Sequence, residues 1–203
     1  MAQIKATRME YLKLKKRLKT AQRGHKLLKE KRDGLMKKFM DIVKAVKQDR
    51  QTMEGLLLKA EKSFIFSVSN LEENEIDQML SSTSSKIVLS SKTENVMSAY
   101  LPRFEYEITG DYKGYSIFSA PLGIDFSLSK FKEALSIMIF LAEKEHSLRL
   151  LSFEIEKTRR RVNGLEYVIM PQFQKTLKFI ASKLDEQERS DKIIRMKVKD
   201  LIS

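Results

Sequence analysis

The amino-acid sequence predicts a mainly α-helical protein, in which long N- and C-terminal helices form an antiparallel two-helix coiled coil with a small head between them in the chain. Three observations predict it. Apolar residues recur in three- and four-residue steps in both terminal segments, only 7 Gly and 3 Pro occur in 203 residues, and 33% of the residues are charged. This composition is typical of long helices. The predicted divisions are 1–66 for the first helix, 67–126 for the head with a short helix and a β-hairpin, and 127–203 for the second helix.

The first helix is predicted from a stripe of positions that runs from Leu14 to Ala60. Its steps alternate between three and four residues, and His25, Arg32 and Asp49 fill the steps that lack an apolar side chain. An average spacing of 3.5 residues is typical of a helix that supercoils with a partner along one seam, where a polar residue can fix the register. No proline interrupts this segment, so we expect one helix on the order of 90 Å long.

The head is predicted from a change to Ser-rich and mildly acidic sequence. Asn70 followed by Glu73 predicts the capped start of a short helix. Segments 103–108 and 115–119 alternate in polarity around a glycine-containing loop, which predicts a β-hairpin, and 86–89 and 96–101 are weaker strand candidates. The expected hairpin loop consists of Gly110, Asp111, Tyr112, Lys113 and Gly114.

The second long helix is predicted from a matching stripe between Leu148 and Ile169. Beyond Pro171 the stripe resumes at Phe173, displaced by one residue from the register of Ile169. A proline inside a helix removes one backbone hydrogen bond and clashes with the preceding turn. We therefore expect a kink at Pro171, with the helix continuing beyond it.

The charge is strongly positive and concentrated near the N-terminus. Lys and Arg number 39 against 27 Asp and Glu, giving +12, and residues 1–62 alone hold 19 basic and 7 acidic side chains. Such a balance indicates an acidic partner. Arg159, Arg160 and Arg161 are consecutive, so at least two must point away from a helical seam. Either a solvated face or a binding contact explains them.

Candidate catalytic chemistry is missing from the sequence. Cysteine is absent, the two histidines lie far apart without zinc-ligand spacing, and no phosphate-binding loop occurs. Carboxylates on a two-helix coil also lack the partly dry pocket that acid-base catalysis needs. We expect no catalytic, cofactor-binding or metal-binding residues. No apolar run is long enough to predict a signal peptide or a membrane-spanning helix.

Three motifs are similar to the D subunit of the V-type and archaeal A-type rotary ATPases. They are TRMEYLKLKKRLKTAQRGHKLLKEKRDGL at 7–35, TRRRVNGLEYVIMPQFQKTLKFI at 158–180 and DEQER at 185–189. The order of long helix, variable head with a hairpin and long helix also matches that family. One departure is Gly164, where the family pattern more often has alanine. We expect it to allow closer helix packing or local flexibility.

The resemblance implies the central rotor shaft of a proton- or sodium-transporting ATPase, itself non-catalytic and without a cofactor. The terminal ends would insert into the ring of A and B subunits, while the other end couples with the F subunit and a socket subunit to the membrane rotor ring. The implied location is cytoplasmic, peripheral to the membrane in the V1/A1 sector. Neither direct membrane insertion, nor nucleic-acid binding, nor a homo-oligomer is implied.

Contacts at such a rotating bearing should be polar and easily broken, which selects basic residues. The candidates for the catalytic ring are Arg8, Lys13, Lys16, Arg17, Arg23, Arg189 and Arg195, with Arg159, Arg160 and Arg161 further along the shaft. Two alternatives remain open from the residues alone. A basic coiled coil also suits nucleic acid, indicated by salt-dependent retention on RNA, or a scaffold, indicated by homodimerisation.

Overall fold

The computed structural model describes residues 6–81, 84–115 and 120–202. In chain order it contains α1 (Arg8–Val68), α2 (Glu73–Ser81), β1 (Lys86–Val96), β2 (Ala99–Thr109), α3 (Ile124–Gly164), a π turn (Leu165–Ile169) and α4 (Met170–Ile202). Two long helical segments therefore flank a short helix and a hairpin, which confirms the predicted fold class. In the part of the chain described, no helix combines the length and the apolar character needed to cross a membrane.

Contacts divide the chain into two compact units. Unit 1 comprises Met1–Gly34 and Ile155–Ser203, and unit 2 comprises Leu35–Glu154. This division falls within the long helices, whereas the division predicted from composition follows the helix ends. Both terminal segments belong to unit 1.

The α1 seam follows the predicted stripe. Every position of the stripe from Leu14 to Ala60 is buried or half-buried, including His25, Arg32 and Asp49. In unit 1 the fully buried side chains opposite this seam come from residues 155–184, and they include Val162 and Ile180. Because the apolar side chains of the stripe are buried or half-buried, hydrophobic burial stabilises the helix pairing.

Unit 2 is held together by antiparallel packing of α1 on α3. The rings of Phe64 and Phe131 meet edge to face with centroids 6.1 Å apart. Closer to the start of α1, Asp49 forms an ion pair with Lys144. Partners that lie later on α3 thus meet residues earlier on α1, as the antiparallel prediction requires. The fully buried side chains of this core include Leu35, Ala60, Ala134 and Leu151.

The hairpin of unit 2 consists of β1 and β2 in regular antiparallel register, from Lys86 opposite Thr109 to Val96 opposite Ala99. Its turn is Met97 and Ser98, whose φ angles are 52° and 68°. The Ser98 N–H donates to the side chain of Asn95 at 2.9 Å. Two consecutive positive φ angles match the twist of a two-residue hairpin turn.

The predicted location of the hairpin turn was wrong. Segment 103–108 pairs with β1, and of the expected partner strand 115–119 only Tyr115 lies within the described residues. Gly110, with φ 89°, instead lets the chain pass Ser84, whose carbonyl oxygen is 2.6 Å from where a Cβ would lie. The expected loop residues Gly110, Asp111, Tyr112, Lys113 and Gly114 all follow the end of β2.

The π turn explains the displaced stripe of the C-terminal helix. The Met170 N–H donates to the carbonyl of Leu165, five residues earlier. A π turn contains one residue more than an α turn, so the seam steps from Leu165 to Met170 and then to Phe173. The predicted one-residue displacement is confirmed, but the expected seam position Ile169 was wrong, since that side chain is 37% exposed. Helical backbone continues through Pro171, where the kink stays a prediction.

Candidate functional site

The positive charge of the protein belongs to unit 1. Its two segments contain 24 Lys and Arg against 10 Asp and Glu, a formal charge of +14, which leaves −2 for unit 2. The candidate site therefore lies on unit 1, because that unit alone supplies a strong field for an acidic partner.

All ten basic residues predicted from the sequence lie exposed on unit 1, and we call them the basic surface. Seam positions such as Leu14 and Leu18 face the partner helix, so the intervening side chains point to solvent. Within the described residues, Arg160 alone among the ten pairs with a carboxylate, that of Glu156. The basic surface comprises Arg8, Lys13, Lys16, Arg17 and Arg23 on α1, Arg159, Arg160 and Arg161 on α3, and Arg189 and Arg195 on α4.

The three consecutive arginines all point to solvent. Thr158 and Val162, on either side of them, are 2% and 1% exposed and occupy the seam. Arg159, Arg160 and Arg161 therefore cover the opposite side of α3, one more outward guanidinium than the sequence required. A planar fork of donors on each suits carboxylate or phosphate groups.

The end of α4 is exposed on every side, and we call residues 185–202 the C-terminal segment. His25 of α1 contacts Glu166 at 3.2 Å, which places the start of α1 at Arg8 level with the residues just before 185. The C-terminal segment consequently extends past α1. Within the described residues it has no helix beside it.

The C-terminal segment is amphipathic although nothing covers it. Ile194, Val198 and Ile202 follow one another at four-residue spacing, and Leu201 lies on the same side of the helix. Their exposure runs from 47% for Val198 to 85% for Leu201. Contiguous exposed apolar surface marks an interaction site. An adjacent side carries Lys192, Arg195 and Lys199, so the segment offers both apolar and cationic contacts.

Polar residues on the seam have partners that sequence reasoning did not identify. His25 meets Glu166 in the π turn, Arg32 bonds the neighbouring Asp33 at 2.8 Å, and Asp49 pairs with Lys144. Glu166 follows the seam residue Val162 by four positions, but the spacing alone does not show that it lies opposite His25. The His25–Glu166 contact therefore fixes the register of unit 1 at its irregular turn.

Tyr115 and Asp125 of unit 2 have shifted pKa values and form a packing contact with each other. Burial raises the pKa of Tyr115, and its hydrogen bond to Asp125 raises it further. That same bond, with help from Lys113, lowers the pKa of Asp125. The contact ties the segment after β2 to the first turn of α3. No group of three or more His, Asp or Glu side chains that could hold a metal ion occurs among residues 6–81, 84–115 and 120–202.

The exposed apolar side of the C-terminal segment was missed from the sequence. Ile194, Val198 and Leu201 continue the steps of the stripe beyond Leu184, but the polar residues Gln187 and Asp191 interrupt it. The mixed charges around them suggest a solvated helix. The available signal was length, since the apolar positions at 193–202 extend beyond any residue of α1 that could cover them.

The chain resembles known proteins over nearly its full length. A family model described as the ATP synthase D subunit matches residues 10–200. A protein of Thermoanaerobacter sp. (strain X514) named as a V-type ATP synthase D subunit is 42% identical over 204 residues, covering 100% of this chain and 98% of the relative. Proteins with the same name from Acetivibrio thermocellus and Streptococcus pyogenes serotype M3 are 40% and 39% identical, covering 98% and 96% of this chain and 91% and 97% of their own lengths.

Proposed function

This chain belongs to the family of ATP synthase D subunits, and on that premise we propose that it is the central shaft of a V-type or A-type rotary ATPase. It transmits torque between a ring of A and B subunits, where ATP is made or hydrolysed, and the ion-translocating rotor in the membrane. The observation that supports this most directly is the C-terminal segment, an amphipathic helix end that nothing in the described residues covers.

Unit 1 is the part that enters the ring in this proposal. The apolar side of the C-terminal segment, including Val198 and Leu201, rests against an apolar collar of the ring. The basic surface meets acidic side chains that line the ring. Exposed ion pairs are individually weak, about 0–1 kcal/mol each, so they can break and re-form as the shaft turns.

Rotation changes nucleotide affinity because the shaft is asymmetric. The ring presents three equivalent interfaces, but unit 1 presents Arg159, Arg160 and Arg161 on one side of α3 and other groups elsewhere. Each interface therefore meets a different set of charges, and a differential contact energy is what shifts a protein between open and closed states. The long buried seams keep the helices packed while torque passes along them.

Unit 2 serves the other couplings in this proposal. With the F subunit and a socket subunit it connects the shaft to the membrane rotor ring, and the predicted head at 67–126 carries those contacts. The chain is present as one copy, binds no nucleic acid, carries no cofactor and performs no catalysis. It acts from the cytoplasmic side as part of the peripheral V1/A1 sector.

Charge reversal tests the role of the basic surface. A variant with Arg8, Lys13, Arg17 and Arg23 all changed to Glu should assemble poorly with the A/B ring and lose ATP-driven ion pumping. Its helicity by circular dichroism should not change, because the four side chains are exposed and lack ion-pair partners in the described part of the chain.

The matched control reverses four exposed lysines of α1 in unit 2, namely Lys44, Lys47, Lys59 and Lys62. It alters total charge equally, so it should retain ring assembly if the location of the charge matters. Unaltered pumping in the unit 1 variant would contradict the proposed role.

A further inference from the structure

Strand β1 has an unusually open edge. It is 11 residues long, and each residue except Val96 is exposed. Among the described residues it pairs with β2 alone, in a register without a bulge. Proteins ordinarily shorten, bend or cover such edges, because unpaired backbone groups form a template for another strand.

The outer edge of β2 is covered, in contrast. Pro102 lacks an N–H, and prolines within sheets occur on edge strands for this reason. The Phe104 N–H donates to Glu143 of α3 at 2.7 Å. Since that N–H points away from Ser91, its partner on β1, the two residues form a non-hydrogen-bonded pair.

The same pairing shows which groups of β1 are free. In an antiparallel ladder the two kinds of pair alternate. Every second residue of β1 therefore points its N–H and C=O away from β2, toward the open edge. These residues are Ile87, Leu89, Ser91, Thr93 and Asn95.

An apolar cavity of about 400 Å³ lies beside this strand, within unit 2. Ile87 and Ile108 of the hairpin line one side, and Leu57 of α1 with Leu135 and Met138 of α3 line the other. Ile87 and Met138 remain 46% and 42% exposed, so the cavity opens to solvent. Its volume is within the range typical of ligand pockets.

Two lysines beside the edge have no carboxylate partner among the described residues. Lys86 begins β1, and Lys132 lines the cavity with its Nζ 4.8 Å from the centroid of the Tyr112 ring. Other cations nearby are already paired, Lys92 with Glu105 and Lys130 with Glu133. The edge and cavity thus carry unneutralised positive charge.

We propose that the open edge of β1 binds an extended, acidic segment of a partner protein by β-strand addition. Backbone groups of that segment pair with the outward groups of Ile87, Leu89 and Ser91, alternate aliphatic side chains enter the cavity, and carboxylates meet Lys86 and Lys132. Main-chain pairing supplies affinity and the cavity supplies specificity. A second copy of this chain suits the site poorly, because its β1 would bring the same lysines to an already positive edge. The inference rests on unit 2 alone and is independent of the proposed function.

The test uses the purified full chain and a synthetic nonapeptide with valine at positions 2, 4, 6 and 8 and glutamate at both ends. Hydrogen exchange of individual amides is followed by NMR. At saturating peptide the exchange rates of the Ile87, Leu89 and Ser91 amides should fall at least about tenfold. Those of Val88 and Ser90 should change little, because they already bond to β2.

Two matched pairs of variants accompany this measurement. Ser91→Pro removes an outward N–H without touching the bonds to β2, so it should abolish the protection, whereas Ser91→Ala should preserve it. Unchanged exchange at Arg103 and Glu105 of β2 confirms that the hairpin remains folded. Lys132→Glu should weaken peptide binding severalfold, whereas Lys47→Glu, an exposed change outside the cavity, should not.

Four results would overturn the proposal. The first is unchanged amide exchange on β1 at the highest peptide concentration, and the second is equal protection of β1 in Ser91→Pro and in the unmodified chain. The third is protection of β1 without peptide that appears only as the chain dimerises in sedimentation. The fourth is protection of β1 without peptide at every protein concentration. The third would assign the edge to a second copy, and the fourth to the chain itself.

Discussion

At the scale of single residues, two glycines have opposite environments. Gly164 lies at φ −60° and ψ −39°, ordinary helical values, and no atom lies within 4 Å of where its Cβ would be. It therefore contributes nothing to close helix packing, contrary to one expectation from the sequence. Gly110 combines a positive φ with a backbone oxygen at 2.6 Å from its notional Cβ.

Alanine substitution should separate the two sites. Gly164→Ala should raise the free energy of unfolding by about 0.5–1 kcal/mol, because it removes backbone entropy from the unfolded chain without strain. Gly110→Ala should lower it by on the order of 1–3 kcal/mol. Urea denaturation of both variants gives the comparison, and stabilisation at both positions would contradict it.

Tyr115 gives the protein a predicted pH dependence. Its bond to Asp125 lowers the pKa of that carboxyl. The resulting stabilisation of the fold is fully present at pH values above the ordinary pKa of aspartate, and it is lost as the pH falls through the lowered pKa. The raised pKa of Tyr115 stabilises the fold below the ordinary tyrosine value of about 10 and is lost as pH rises.

Tyr115→Phe should therefore destabilise most between about pH 5 and 9, with a smaller loss outside that range. The free energy of unfolding across pH measures this, with Tyr100→Phe as the control because Tyr100 is 66% exposed. A loss independent of pH would show that the bond to Asp125 is not its source.

At the scale of elements, the seam and the π turn account for the C-terminal helix. The stripe before the turn, ending at Leu165, and the stripe after it, from Phe173, both face α1 because one surplus residue lies between them. The π turn also lies just before Pro171, where a regular α turn would clash with the proline ring. Its formation relieves both problems at one position.

Deletions should identify that surplus residue. In a Pro171→Ala background, deleting Val168 should leave a regular helix with every seam position still packed, and stability close to that of Pro171→Ala alone. Deleting exposed Lys175 instead rotates Ile180 out of the seam and should cost about 2–5 kcal/mol. Thermal unfolding distinguishes them. Equal losses from both deletions would argue against the five-residue step.

The elements also show why prediction succeeded where it did. Burial imposes a period on the long helices, so Leu14 to Ala60 could be assigned from spacing alone. The hairpin turn could not, because Met97 and Ser98 carry no turn signature and owe their positive φ angles to the strands around them. In the candidate site, the exposure of the basic residues could also be predicted, because the period of the seam shows which positions lie outside it. The contact between His25 and Glu166 could not, because spacing alone does not show which residue of the C-terminal helix lies opposite His25.

At the scale of the whole molecule, charge is unevenly divided. Unit 1 carries +14 and unit 2 carries −2, although the total alone would suggest a uniformly basic protein. An oriented charge distribution accelerates encounter with an acidic partner, and dissolved salt screens that effect.

The association rate with an isolated A/B ring should consequently fall about tenfold or more as salt rises from low to high ionic strength. Neutralising Arg8, Lys13, Arg17 and Arg23 to Gln should flatten this dependence. Stopped-flow fluorescence measures both rates. A rate insensitive to salt in the unmodified chain would show that the charge of unit 1 does not steer assembly.

Removing residues 185–203 should separate folding from assembly. Residues 185–202 are all exposed, so their loss should change the free energy of unfolding by less than about 1 kcal/mol. Retention on the ring should nevertheless fall sharply. A large drop in melting temperature would instead mean that the segment supports the fold.

The exposed apolar side of the C-terminal segment also distinguishes an orphan copy from an assembled one. Ile194, Leu201 and Ile202 together display surface that chaperones and proteases recognise, on a helix end held by few contacts. A cell that synthesises more of this chain than its partners can accommodate would degrade the excess, and stoichiometry would be enforced by turnover.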